Sequence, residues 1–224
     1  MEKRFELVQR LELIKSLCEG KKVLHLGCTN WPYTQDAIEA GTLLHKDLAA
    51  VASDLYGFDY DQQGIDFLTS KGFGQLFQAD VERLQDVKLN ETFDVIVAGE
   101  MIEHLNNPGM FLEGIKRFMN GNTLLVITTI NAYSGMRFFV YGLRGRGGNL
   151  EPVHPDHVAY YSYSTLKLLL ERFGFQLANF MFYDIGSEHR PHNGKLRNFV
   201  NDICVRIAPQ WADGVIAVCK LPAE

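Results

Sequence analysis

KVLHLGCTNWPYTQDAIEA, residues 22–40, is the stretch that decides how the rest of the chain is read. A short β-prone apolar run, 22–26, stops at Gly27, and a turn of small residues leads into a helical pattern near 34–40. That is one strand, loop and helix unit. The first half repeats it: apolar segments at 55–58, 75–78, 93–98 and 123–129 are separated by helical patterns at 62–71 and 109–119. Further apolar segments lie at 176–182 and 214–219, with a helix expected over 164–173. Strands alternating with helices predict an α/β fold, a mostly parallel sheet covered on both faces. In front of the unit, Leu7, Leu11, Ile14 and Leu17 recur at helical spacing before Gly20, so residues 3–19 are expected to form a lead-in helix.

The chain has 224 residues, 46% of them hydrophobic, enough to bury the core of one large domain spanning 1–224. Acidic residues outnumber basic ones by 27 to 22, giving a net charge of −5. This weighs against broad electrostatic attraction to nucleic acid or to an anionic membrane, and favours a small ligand. Cys18, Cys28, Cys204 and Cys219 form no CxxC pair, and the first residues lack the apolar stretch of a signal peptide. A reducing, cytoplasmic home is the expectation. Runs such as TLLVITTI are too short to span a bilayer, which takes about 20 apolar residues, and suit buried strands.

In a doubly wound sheet the loops at the carboxyl ends of the strands converge on one edge, where ligands bind. Polar residues concentrate there: Gly27, Cys28, Thr29 and Asn30 after the first strand, Asp59 after the second, Asp80 after the third, Glu100 to His104 after the fourth, and Asn131 after the fifth. Small residues at 27–30 let backbone N–H groups approach a ligand, although a tight turn needs glycine for steric reasons alone. Asp59 can accept two ribose hydroxyls, with Asp54 and Asp61 as neighbouring competitors. Asp80 either accepts from an adenine amine or caps the following turn. Residues 131–157 differ in character, mixing Tyr133, Phe138 and Phe139 with Arg137, Arg144 and Arg146 before a glycine-rich stretch. They read as a capping insertion or as an ordinary surface loop with a packed aromatic helix.

Across nearly its whole length the chain resembles class I S-adenosylmethionine-dependent methyltransferases. The resemblance is carried by VLHLGCTN (23–30), YGFDYDQQGIDFL (56–68), QADVERL (78–84), FDVIVAGEMIEHLNNPGMFLEGI (93–115), LLVITTINAYS (124–134) and HPDHVAYYSYSTLKLLLERFGF (154–175). It looks most like the branch encoded with surface-polysaccharide or secondary-metabolite pathways. More distantly it is similar to ubiquinone-pathway O-methyltransferases and small-RNA 2′-O-methyltransferases. The resemblance implies a Rossmann-like, seven-stranded sheet with a reversed final strand. It assigns the loop at Gly27, Cys28 and Thr29 to the methionine part of the cofactor, Asp59 with Tyr60 beside it to the ribose, Asp80 and Val81 to the adenine, and Glu100 to the cofactor's vicinity. This chain departs from the family where His25 replaces an acidic residue and where Thr29 and Trp31 replace glycines.

Glu100, Glu103 and His104 stand at i, i+3 and i+4, on one face if the segment turns helically. The distant relatives use such a set with a later histidine to bind a divalent metal. Here His157, or less readily His154, supplies that ligand, and oxygen with nitrogen donors suit Mg, Mn, Fe or Zn. The alternative is a structural helix start in which Glu103 and His104 pair. An acceptor hydroxyl needs its proton removed as it attacks, and His104 and His157 are the candidate bases. Tyr160, Tyr161 and Tyr163 either line an acceptor pocket or mark a strand with one packed face. Arg137, Arg144, Arg146, Arg190, Lys195 and Arg197 are candidate phosphate or carboxylate partners, with scattered surface charge as the default. The reading that follows is O-methylation of a small-molecule or glycan hydroxyl. RNA 2′-O-methylation and a non-catalytic cofactor-binding role are the alternatives.

Overall fold

The apolar runs pair into one sheet in the computed structural model, which describes residues 6–144, 156–186, 190 and 194–222, apart from the side chains of 140–144. Its strands are β1 (Glu6–Val8), β2 (Lys22–Leu26), β3 (Asp54–Asp59), β4 (Leu76–Gln78), β5 (Val95–Gly99), β6 (Leu124–Ile130), β7 (Gln176–Tyr183) and β8 (Gly214–Lys220), in the order β1-β7-β8-β6-β5-β2-β3-β4. β8 runs antiparallel to both of its neighbours, and the other pairings are parallel. The reversed final strand is therefore present, inserted between β6 and β7.

One expectation is corrected. Residues 3–19 do not form one helix: Glu6–Val8 is an eighth strand, parallel to β7 with Leu7 opposite Phe182, and helix α1 (Arg10–Cys18) begins only afterwards. Leu7 fits the helical period by position, yet a three-residue strand is too short for periodicity to reveal. Its backbone bonds come from the open edge of β7, a partner about 175 residues away in the register that pairs Glu6 with Met181.

β2, β5 and β6 are almost continuously apolar because both of their faces are covered. Alternation sorts their side chains. Leu24, Leu26, Ile96, Ala98, Leu125 and Ile127 face α5 (Pro108–Ile115) and α7 (Tyr163–Arg172), which bury Phe111, Leu112, Ile115, Leu166 and Leu170. Val23, Val95, Val97 and Val126 face the opposite way, toward Ile14 and Cys18 of α1 and Leu48 of α3 (Leu44–Val51). Each fully buried Leu, Ile or Phe contributes about 1.5–3 kcal/mol. α7 starts where Ser162 and Thr165 form a capping box. α2 (Thr34–Ala40) and α4 (Gln62–Ser70) complete the first half. α6 (Gly135–Arg144) and α8 (Lys195–Ile207) lie in the second, where the sequence pattern was less regular. Of the segment 131–157, residues 145–155, His154 among them, lie outside the described residues.

β8 begins at the site edge with Gly214 packed under Tyr183: a Cβ there would sit 1.9 Å from the Tyr183 ring. Gly214→Ala is expected to cost about 1–3 kcal/mol through overpacking. Thermal unfolding reads this as a lowered Tm, and an unchanged Tm would show that the ring yields freely.

Candidate functional site

The loop after β2 is tied down by its own backbone. Gly27, at φ +72°, donates its N–H to the Phe58 carbonyl at 2.8 Å, and the Cys28 N–H reaches the same oxygen at 3.2 Å. Asp59 completes the attachment: Oδ2 accepts from Thr29 N–H at 2.9 Å and Oδ1 from Asp61 N–H at 3.1 Å. The competing acids are engaged elsewhere. Asp61 caps α4 through the N–H groups of Gln63 and Gly64, and Asp54 bonds the Gln75 side chain at the opposite end of β3. Asp59 alone of the three faces the loop. Each of its oxygens keeps a second lone pair, which suits a ribose diol.

The residues that replace glycine in this loop are accommodated by α4. A Cβ on Gly64 would lie 2.5 Å from Thr29 Oγ1 and 3.0 Å from Trp31 Cβ, so the missing side chain at 64 makes the room that Thr29 and Trp31 take up. Their bulk goes against the helix, and the Gly27 turn and the Asp59 carboxylate remain suited to an adenosyl ligand. Cys28 is buried, with its thiol pushed up by burial and by the Asp59 charge. It is a packing residue.

His25 is also explained by packing. It shares a sheet face with Val23 and is buried with its Nδ1 3.2 Å from Nδ1 of His45 on α3. One imidazole donates to the other, and burial favours the neutral form of both, pulling His25 down well below the usual histidine range and His45 to about 4. A carboxylate at 25 would require a different partner.

Asp80 does what a cap does, accepting from Glu82 N–H at 2.9 Å at the head of the 3-10 turn Val81–Asp86. It also lines a cleft of about 340 Å³ with Tyr60, Gln78, Ala79, Arg83, Asp86 and Val87. Tyr60 is exposed and Val81 is half-buried against the core. The two readings of Asp80 are thus compatible.

Glu100 follows β5 at φ +50°, so residues 100–104 are not one helix; a 3-10 turn covers Ile102–His104. The Glu100 side chain accepts from the buried hydroxyl of Tyr183, which burial and the Glu100 charge keep protonated. Glu103 points elsewhere. It is fully buried, Oε2 accepts from Thr129 Oγ1 at 2.8 Å, and Oε1 has no hydrogen-bond partner in the structure described. Val158 and Ala159 donate their N–H groups to the Glu103 carbonyl at 2.9 and 3.2 Å, and this pins His157 beside the turn. Ligand atoms of Glu103, His104 and His157 consequently lie within 4.8 Å of one another, and Glu100 falls outside this group. His104 Nδ1 faces the Asp156 carbonyl at 3.2 Å, which makes Nδ1 the donor and leaves the lone pair on Nε2. A buried carboxylate oxygen lacking a donor, beside two imidazoles, fits a divalent cation.

The remaining candidates disperse. Tyr161 is buried at an isolated bridge to Asn131, not in a strand, and Tyr163 packs edge-on to Phe180. Arg137 pairs with Asp213, and Arg190 with Asp184 and Asp202; Lys195 and Arg197 are exposed on α8. Sequence reasoning missed Tyr183, Thr129 and His45. Each meets its partner only across the sheet, and nothing local signals it.

Comparison with known proteins bears on the fold and the family. Residues 4–179 match the family described as Methyltransferase domain, and the chain belongs to that family. The chain is 28% identical over 118 residues to a ubiquinone biosynthesis O-methyltransferase from Azorhizobium caulinodans, covering 50% of this chain and 42% of that protein. It spans less than half the length of the curated relatives it matches. Among solved structures, an S-adenosylmethionine-dependent methyltransferase from Archaeoglobus fulgidus has 18% identity and a TM-score of 0.56, with 94% of each chain covered. Magnesium protoporphyrin IX methyltransferase from Synechocystis, with bound S-adenosylhomocysteine, has 12% identity and a TM-score of 0.58, covering 95% of this chain and 82% of that one. The fold is that of the Rossmann-like S-adenosylmethionine-dependent methyltransferases.

Burial, then the nearby Glu100 charge, pushes the Glu103 carboxyl from its ordinary 4.5 up to about 7. Between these values the metal-free folded protein holds a proton that the unfolded chain has lost. Stability therefore falls as pH rises through this window and levels off above it. Glu103→Gln is expected to abolish that fall, read by urea denaturation at a series of pH values; identical pH profiles for both proteins would refute it.

Proposed function

We propose that this chain transfers the methyl group of S-adenosylmethionine to a hydroxyl oxygen of a small-molecule acceptor. The observation that carries the reading is an adjacency. The Gly27 loop with Asp59, and the Glu103, His104 and His157 group, stand at the carboxyl ends of neighbouring strands in one sheet. The relatives named as ubiquinone biosynthesis O-methyltransferases support oxygen as the acceptor atom. A glycan hydroxyl presents the same chemistry.

The bound cofactor would supply an electrophilic methyl. Asp59 holds the ribose, the Gly27 turn admits the methionine portion, and Asp80 with Val81 borders the adenine. His104, presenting Nε2, takes the acceptor's proton; Glu103, His104 and His157 would hold a divalent cation, which would supply Lewis-acid activation of the hydroxyl, its proton then leaving to solvent. Positioning supplies the larger share of the rate in either case.

Calorimetric titration should show micromolar-range affinity for S-adenosylmethionine and S-adenosylhomocysteine, with Asp59→Ala weakening both by about tenfold or more, as expected for lost hydrogen bonds to a charged group. Retained binding in that variant would remove Asp59 from the site. For the cation, Glu103→Ala and exhaustive chelation are each expected to abolish tight Mn binding and lower methyl transfer; full activity after both would leave His104 acting alone.

A further inference from the structure

α8 is amphipathic in an unusual sense: its apolar stripe faces outward. Asn201, Cys204 and Val205 are buried against the domain, while Leu196, Phe199, Ile203 and Ile207 are 74, 60, 43 and 68% exposed. At 3.6 residues per turn these four fall within an arc of about 80°. Helical geometry places Arg206 and Lys195 along one border of that arc, about 20° and 40° beyond it, whereas Arg197, exposed in the first turn, lies about 80° past the other border. None of these three cations is in an ion pair among the described residues.

The acids nearby are each engaged by a donor. Asp202 and Asp184 are both held by Arg190, at 2.7 and 2.9 Å, Asn201 donates to Asp184, and Asp213 is held by Arg137. Among the described residues the five cations Lys195, Arg197, Arg206, Arg190 and Arg137 stand against the three acids Asp184, Asp202 and Asp213, so this region is locally cationic although the chain carries a net charge of −5. Phe138 and Phe139 on α6, the helix that packs against α8, are exposed as well.

We propose that the outward face of α8 docks the domain on an anionic lipid surface, Leu196, Phe199, Ile203 and Ile207 entering the headgroup region while Lys195 and Arg206 meet lipid phosphates. An apolar stripe bordered by basic residues is the pattern of interfacial helices. A second copy of the same face would bring like charges together around the apolar contact, and the aliphatic residues offer nothing to a nucleic-acid backbone. The inference is independent of methyl transfer, since α8 contributes no residue to the proposed site.

The test is sedimentation of the full chain with vesicles of phosphatidylcholine alone and of phosphatidylcholine with phosphatidylglycerol. Wild-type protein is expected to pellet with the anionic vesicles and to be released by salt. Loss of one cation, in Lys195→Gln or Arg206→Gln, should weaken partition about fivefold, and Phe199→Asp should abolish it. Binding of S-adenosylhomocysteine, unchanged in all three variants, confirms that they fold; if no protein binds this ligand, circular dichroism serves. Wild-type protein that stays in solution with anionic vesicles, or partition untouched by Phe199→Asp, overturns the proposal. A concentration-dependent dimer in sedimentation velocity that Phe199→Asp dissolves overturns it too, and assigns the face to a second copy.

Discussion

Parallel strands in β2, β3, β5 and β6 force everything else in this molecule. A parallel pair cannot be joined by a hairpin, so each strand is followed by a crossover, and the crossovers cover both faces of the sheet. The strands that result are buried on both sides and apolar along their length, and every carboxyl end opens on the same edge. The Gly27 loop, Asp59, Asp80, Glu100 and the Glu103 turn occupy one edge for this reason, though they span more than seventy residues of chain. The reversed β8 fits between β6 and β7, where antiparallel bonding brings Gly214 under Tyr183.

At that edge, some carboxylates are paired with donors and other titratable groups are buried. Asp59 accepts two backbone N–H groups, Asp213 has Arg137 and Asp184 has Arg190. His25, His45 and Tyr183 stay neutral because burial opposes their charged forms. Glu103 is the exception: a buried carboxyl with one oxygen bonded by Thr129 and the other left without a donor. A group of this kind costs stability unless something compensates it. Its neighbours His104 and His157 are the residue types that, with it, complete a cation site or a proton relay.

The unusual residues of the loop after β2 are matched by compensating features. Thr29 and Trp31 occupy volume that Gly64 leaves open on α4, and His25 finds a partner in His45 on α3. Such pairs are packing solutions in which a change on one element is answered on another.

By itself the sequence determined the alternation of strands and helices, the reversed last strand through its family resemblance, and the positions of Asp59, Asp80 and Glu103 at strand ends. Those features depend on periodicity and on order along the chain, which are local. Only the tertiary structure decided that Glu6–Val8 is a strand, because its hydrogen bonds come from β7. It likewise decided that Glu100 turns to Tyr183 while Glu103 turns to His157, because a positive φ at 100 breaks the helical spacing that would have aligned them. It also decided that α8 buries its polar Asn201 and shows Leu196, Phe199, Ile203 and Ile207 outward. A periodic stripe fixes which residues share a face, whereas the neighbours present in space fix which way that face turns.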